Sequence, residues 1–295
     1  MFRAMQEDKN ASWVDAIIDD RSSDQITETY VDLGAPPPMR EWIGRRAPKT
    51  IRNESFPITA KKYETSVVIP RDDLVLVNSD LIRRKYIQPL MARAGSQHIK
   101  KLATTALIDA EAALCFDGQY FFDTDHVSAA SGSQSNDTTA TGAGSGATPT
   151  ALEATTAIMK VIQLMLAFKD DQGEICNDEQ DTFLIMIPLP YMEPFNVALN
   201  ANLTSGGQSN TLKVQGLNFQ LAVNPRLTWT TKFAVFAQNN GAKPLIHQFV
   251  EAPRFSAKAE GSDFEHDEDA HEYGVSVWRT VGYGAWSSAC LCTLS

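Results

Sequence analysis

The chain has 295 residues, 43% hydrophobic and 21% charged, with a formal net charge of −10. That composition can bury a real core, in one elaborate α+β domain or two domains of usual size, and it excludes disorder of the whole chain. With no surplus of cations to displace counterions from phosphates, tight non-specific nucleic-acid binding by the chain as a whole is excluded as well, though a local basic face is not.

The first residues, MFRAMQEDKNASWVDAIIDD, mix acids with apolar side chains and lack the apolar core of about 7 to 15 residues that a secretory signal needs. The expectation is a protein that stays in the cytosol where it is made. No run approaches the roughly 20 apolar residues of a membrane span. AIMKVIQLMLAF (157–168) is interrupted by Lys160 and Gln163. Cys115, Cys176, Cys290 and Cys292 form no C-x-x-C pair and read as reduced structural thiols.

In chain order, residues 1 to about 40 read as an arm ending in GAPPPMR, whose prolines favour an extended path. Between 41 and 74, ITAKKYETSVVI alternates, with Tyr63, Thr65, Val67 and Ile69 on one side, and predicts a long two-stranded excursion turning near 53–57. From Leu81 to Leu114, Ile82, Tyr86, Leu90, Ala94, Ile99, Leu102, Ala106, Ala110 and Ala113 recur at threes and fours, which predicts a helical spine. Pro89 and Gly95 should break or bend it into one helix or two.

Residues 128–149, rich in Ser, Gly and Thr, offer almost nothing to bury and read as a surface loop. Thr150 and Glu153 form a T-x-x-E capping box ahead of Ile158, Val161, Ile162, Met165 and Leu166, predicting a helix. TFLIMIPLP (182–190) reads as a central strand and PYMEPFNVALNAN as a short helix. LKVQGLNFQLAV (212–223), KFAVFA (232–237) and a C-terminal pair beyond an acid cluster read as further strands. No internal repeat is present.

Candidate chemistry is sparse. In CFDGQYFFDTDH (115–126), Asp123, Asp125 and His126 could hold a metal and serve a metal-dependent hydrolase, since alternate strand residues share a face. The same stretch also reads as a hairpin tip whose acids and imidazole satisfy turn backbone while Phe116, Tyr120, Phe121 and Phe122 pack inward. EGSDFEHDEDAHE (260–272) has seven acids with His266 and His271 but matches neither H-E-x-x-H nor a calcium loop, and reads as a solvated acidic face. GAGSGATPT (142–150) lacks the lysine of a phosphate loop, no G-x-S-x-G elbow exists, and Cys115 among aromatics reads as buried.

One charge asymmetry stands out. Residues 40–62 hold Arg40, Arg45, Arg46, Lys49, Arg52, Lys61 and Lys62 against Glu41 and Glu54, while 260–272 has seven acids and no lysine or arginine. An isolated two-stranded ribbon is marginal. In an assembly, the basic hairpin of one copy would therefore lie over a neighbour, with Glu265, Asp267, Glu268 and Asp269 part of the complementary surface. Two independent solvated faces are the other reading.

This order of arm, long hairpin, spine, mixed domain and closing strands resembles the major capsid proteins of tailed bacteriophages, the Hong Kong 97 fold. YETSVVIPRDDL (63–74), CFDGQYFFDTDH (115–126) and HEYGVSVWRTVGYGAWSSA (271–289) look like the corresponding motifs of the Mu-like phage major head subunit family, with PLPYMEPFNVALNAN and NPRLT in support. The resemblance runs from about Glu41 to the C-terminus. Val127 departs from it, standing where the family often has proline, and the 128–148 segment looks expanded. It implies an α+β fold with an N-terminal arm (1–45), an extended loop (46–72), a peripheral domain with the spine helix and aromatic hairpin (73–149), an axial domain (150–250) and strands returning to the peripheral domain (251–295). It further implies a shell-forming structural protein with no catalytic site, cofactor or metal. Copies would assemble as hexamers and pentamers in the host cytoplasm into the virion capsid, around DNA bound without sequence specificity. Scaffold, portal and decoration proteins are the expected partners, with no membrane. A non-viral compartment of the same fold is the remaining alternative.

Overall fold

The computed structural model describes residues 13–32, 39, 41–42, 44, 54–76, 83–142, 148–202, 210–214, 216–238 and 241–295. Two sheets organise them. A short helix α1 (Trp13–Ile17) leads into β1 (Ile18–Ser22) and β2 (Thr27–Asp32); β3 (Glu54–Thr59) and β4 (Lys61–Pro70) follow, then α2 (Arg71–Leu76). β4 keeps the predicted alternation, with Tyr63, Thr65, Val67 and Ile69 turned inward and their neighbours exposed. The turn expected near 53–57 falls inside β3 instead, and the first strand of the expected hairpin lies largely outside the described residues. β3 pairs antiparallel with β2, and β4 pairs with a strand from the far end of the chain. Strands with one apolar face take whichever partner completes that face, so proximity in sequence did not decide the pairing.

The predicted spine is a helical run from Arg83 to Asp109: a π-helical turn Arg83–Ile87, α3 (Gln88–Ala92), a second π turn Arg93–Gln97, and α4 (His98–Asp109). Pro89 sits in the first turn of α3, where its missing N–H costs nothing. Gly95 leaves helical geometry at φ −75°, ψ −109°, so the break falls at the glycine. The run ends five residues before the predicted Leu114, which is exposed beyond a turn.

Short strands β5 (His126–Val127) and β6 (Ser133–Gln134) form a hairpin, and β7 (Asp137–Ala140) joins the main sheet. The Ser/Gly/Thr segment is thus no simple surface loop: Asn136 and Ala140 within it are buried. α5 (Ala151–Leu166) starts at the predicted capping box, with Thr150 and Glu153 each satisfying the other's backbone N–H. β8 (Thr182–Ile187), a 3-10 turn and α6 (Met192–Asn200) follow as expected. Of 212–223 only the second half is a strand: α7 (Thr211–Val214) precedes β9 (Asn218–Val223). β10 (Lys232–Ala237), β11 (Leu245–Lys258), α8 (Asp263–Glu268), β12 (Ala270–Tyr283) and β13 (Ala289–Leu294) complete the chain.

The five-stranded sheet runs β7-β13-β10-β8-β9, and the second runs β1-β11-β12-β4. β8, β10 and β13 are nearly continuous apolar runs, buried on both faces, and α5 packs across β10 and β13. The first sheet thereby unites segments from both sides of residue 150 with the C-terminal strand. The second sheet is anchored where Leu245–Gln248 are buried; beyond bulges near Glu251, β11 becomes exposed. Its inner face, at Val275, Val277 and Arg279, is covered by the helical run, with Leu90, Ala94 and Val67 around Val275.

Candidate functional site

The 115–126 stretch is a compact turn at the end of the helical run. Cys115 and Gln119 bond through their backbones, Gly118 turns the chain at φ +84°, and the N–H groups of Phe121 and Phe122 return to the carbonyls of Ala113 and Ala110. Phe121 and Phe122 are buried, and Phe121 stacks on Tyr283 at 4.9 Å between centroids. Phe116 is half-buried. Tyr120, expected to pack inward, is exposed, and its backbone N–H donates to the Asp123 carboxylate. Cys115 is buried and its thiol faces the Gly284 carbonyl.

Asp123, Asp125 and His126 do not converge. Asp123 spends its carboxylate on the N–H groups of Tyr120 (3.2 Å) and Thr124 (2.7 Å), while Asp125 is exposed. The buried His126 ring lies flat on Trp286, with centroids 4.2 Å apart and planes within 8°. Its Nδ1 is 2.6 Å from the buried Asp117 carboxylate and its Nε2 is 3.2 Å from Asn136 Oδ1. Asn136 Nδ2 donates to the carbonyls of Phe121 and Trp286, which fixes Oδ1 as an acceptor shared by His126 Nε2–H and the Asp123 N–H. With Nε2 a donor and Nδ1 against Asp117, neither ring nitrogen is left for a metal, and no group of three metal-binding side chains occurs among the described residues. The arrangement is a clamp. It fastens the 115–126 turn to β7 and to the turn before β13.

Sequence reasoning found His126 but missed Asp117 and Asn136 as its partners. It also missed Arg279, one of the largest fully buried side chains, whose Nη1 and Nη2 donate to the carbonyls of Gly95 and Ala94. Burial holds the Arg279 guanidinium down at about 10, an effect that Asp20 and Tyr63 oppose. His98, edge-on to Tyr63 at 4.4 Å, is pushed down to about 4 by burial first and then by Arg279 and Lys101. His247 on β11 bonds Asp20 of β1 at 2.7 Å and ties those strands together.

Of the charged residues expected to mediate assembly, Arg45, Arg46, Lys49 and Arg52 lie outside the described residues, as does Arg40. Lys61 and Lys62 are exposed on β4, with Lys62 Nζ 5.6 Å from the Trp278 ring centroid. The acidic turn at the tip of the β11–β12 hairpin divides into two sets. Glu265 meets His271 at 3.0 Å and Arg71 at 3.5 Å, Asp269 meets Arg71 at 3.7 Å, and Lys258 pairs with Glu272. Hydrogen bonds from His271 and the Gly261 N–H hold the Glu265 carboxyl below its ordinary value. Asp263, Asp267 and Glu268 are exposed and form no ion pair with the described residues.

A family profile described as Mu-like prophage major head subunit gpT matches residues 1–152. The Mu-like prophage FluMu major head subunit of Haemophilus influenzae is 38% identical over 108 residues, 35% of this chain and 33% of that protein. The major capsid protein of Escherichia phage Mu is 30% identical over 105 residues, 36% of this chain and 34% of that protein. Each match therefore spans about a third of the relative's length. Among solved structures, the capsid of bacteriophage JBD30 aligns over 97% of this chain and 68% of its own, with TM-score 0.56 and 17% identity. The capsid of cyanophage P-SCSP1u aligns over 95% and 86% with TM-score 0.58 and 11% identity. A virus-like particle from Pyrococcus furiosus aligns over 99% and 97% with TM-score 0.53 and 10% identity. At these identities the likeness establishes the fold alone, the Hong Kong 97 fold of phage capsid proteins.

Proposed function

Because the chain belongs to the Mu-like prophage major head subunit gpT family, we propose that it is the building block of a phage head: a protein that assembles with copies of itself into the icosahedral shell enclosing double-stranded DNA. One observation carries the reading: a head-subunit family match over residues 1–152 on a chain whose fold aligns almost end to end with capsid subunits. The functional surfaces of such a protein are contacts between copies, so it needs no catalytic centre, and its place is the virion. Its hexamers and pentamers would meet scaffold, portal and decoration proteins. No helix among the described residues is long and apolar enough to cross a membrane.

The proposed division follows the family: arm 1–45, extended loop 46–72, peripheral domain 73–149, axial domain 150–250 and closing strands 251–295. The net charge of −10 suits a container for DNA, since an acidic wall does not hold phosphates by counterion release. The metal-dependent hydrolase has little support, with Asp123 and His126 committed to the turn and Asp125 exposed. A non-viral compartment of the same fold is the other reading, and the virus-like particle from Pyrococcus furiosus shares that fold, but the family match favours a phage head.

Antibodies raised against this chain should decorate the faces of intact heads released from cells that carry its gene within a phage. Mass spectrometry of those heads should find it as the most abundant protein. Heads that form without it would overturn the reading.

A further inference from the structure

A cleft lies between β4, β12 and the helical run. It encloses about 450 Å³, with Val275, Val277 and Tyr63 as an apolar floor. Arg93, Lys101 and Arg226 line it, all exposed and none in an ion pair with the described residues. Glu64 is the only acid among the described residues that line it. Cations gathered around a concave apolar surface raise the local potential, and low-dielectric walls focus it. Such a cleft fits a short acidic segment with some apolar surface of its own.

The chain carries such a segment. In the turn at the hairpin tip, Asp263, Asp267 and Glu268 are exposed without ion pairs among the described residues, and Phe264 lies beside them, half-buried. The neighbouring acids Glu265 and Asp269 are already held by Arg71 and His271, which fixes the helix that presents the free ones. The turn cannot fill the cleft of its own chain. Ala270, at the base of the tip, is five residues along β12 from Val275, the nearest cleft residue on that strand, about 17 Å at the rise of a strand, and the Arg71 contacts pin the turn at that end.

We propose that the acidic turn 263–268 of one copy seats in the Arg93–Lys101–Arg226 cleft of a second copy. The inference rests on the shell reading and adds a specific contact to it. A segment of one sign meeting a pocket of the other fixes register and speeds encounter, and it disfavours wrong pairings that bring like charges together. This acceptor is separate from the basic stretch 40–62, since Arg93 and Lys101 stand on the helical run and Arg226 on the β9–β10 connection.

Charge reversal tests it in the full-length chain expressed in bacteria, with particles counted by negative stain and sedimentation. R93E/K101E and D267K/E268K should each lower particle yield at least tenfold at physiological salt. The quadruple variant should recover most of it. Thermal melts of each soluble variant should match wild type, because all four side chains are exposed; should one melt early, the milder R93Q/K101Q and D267N/E268N take its place, each expected to lower yield and to make the remaining yield less salt-dependent. Normal particle yield from R93E/K101E, or a quadruple variant no better than either double, overturns the proposal. So does the pattern in which D267K/E268K assembles normally while R93E/K101E shells form but hold less DNA, which would make the cleft a phosphate site. Absence of wild-type particles under every condition would count against the shell reading itself.

Discussion

The guanidinium of Arg279 on β12 donates to the carbonyl of Gly95 at 3.1 Å, joining residues 184 apart in the chain, and its other nitrogen reaches the Ala94 carbonyl. Gly95 is where the helical run departs from helical geometry, so a buried cation on β12 fastens that strand to the break. Arg279→Met removes both donors and leaves a buried acceptor at Ala94 and a part-buried one at Gly95 without them, which should lower stability by about 2 to 4 kcal/mol. Arg279→Lys, with one compact head group, should recover only part of that. Denaturant unfolding of the soluble chain measures both; a Met variant as stable as wild type would show the bonds to be dispensable.

Asn136 binds four groups at once: the Asp123 N–H, His126 Nε2–H, and the carbonyls of Phe121 and Trp286. Asn136→Ala should therefore cost about 3 kcal/mol, more than the loss of a typical single hydrogen bond, because several buried partners lose theirs together. EDTA should leave the wild-type melting curve unmoved, since His126 is engaged by protein at both nitrogens. A shift in EDTA would restore the metal reading of Asp123, Asp125 and His126.

Phe121 is fully buried between Phe122 and Tyr283. Phe121→Ala should cost about 3 to 5 kcal/mol, the range for emptying a packed aromatic site. Tyr120→Ala, one position away on the exposed side, should cost under about 0.5 kcal/mol. Equal effects in urea melts would contradict the assignment of inside and outside in this turn.

His98 gives a pH dependence with a definite sign. Its folded value is about 4, against an ordinary 6.5, so the folded chain binds this proton less readily than the unfolded one. The stability it contributes is complete above about pH 6.5, declines as pH falls towards 4, and changes no further below that. The ring is only partly buried, so solvent screening reduces the loss. His98→Gln should flatten the slope of unfolding free energy between pH 6.5 and 5; an unchanged slope would assign that dependence to other groups.

Local rules in this chain carried a great deal. The Thr150–Glu153 box, the run TFLIMI and the alternation of β4 each depend on neighbours within a few residues, and each is found in place. What failed was long-range. Nothing in ITAKKYETSVVI says that β4 pairs with β12, some 200 residues on, or that β3 pairs with β2. Polar residues were misjudged for the same reason. Asn136 sits in a Ser/Gly/Thr stretch that looks unburiable, and its value as a hub comes from Phe121, His126 and Trp286, which only the fold assembles. The charge segregation was visible in the sequence, but not that Arg71 and His271 already occupy Glu265 while Asp267 and Glu268 form no ion pair among the described residues.

Size-exclusion chromatography of the purified full-length chain, with negative-stain images of each peak, most directly tests whether its product is a container. The account predicts material in the megadalton range seen as closed shells, capsomers, sheets or tubes. A compact monomer or small closed oligomer under every assembly condition, turning over a substrate, would contradict it.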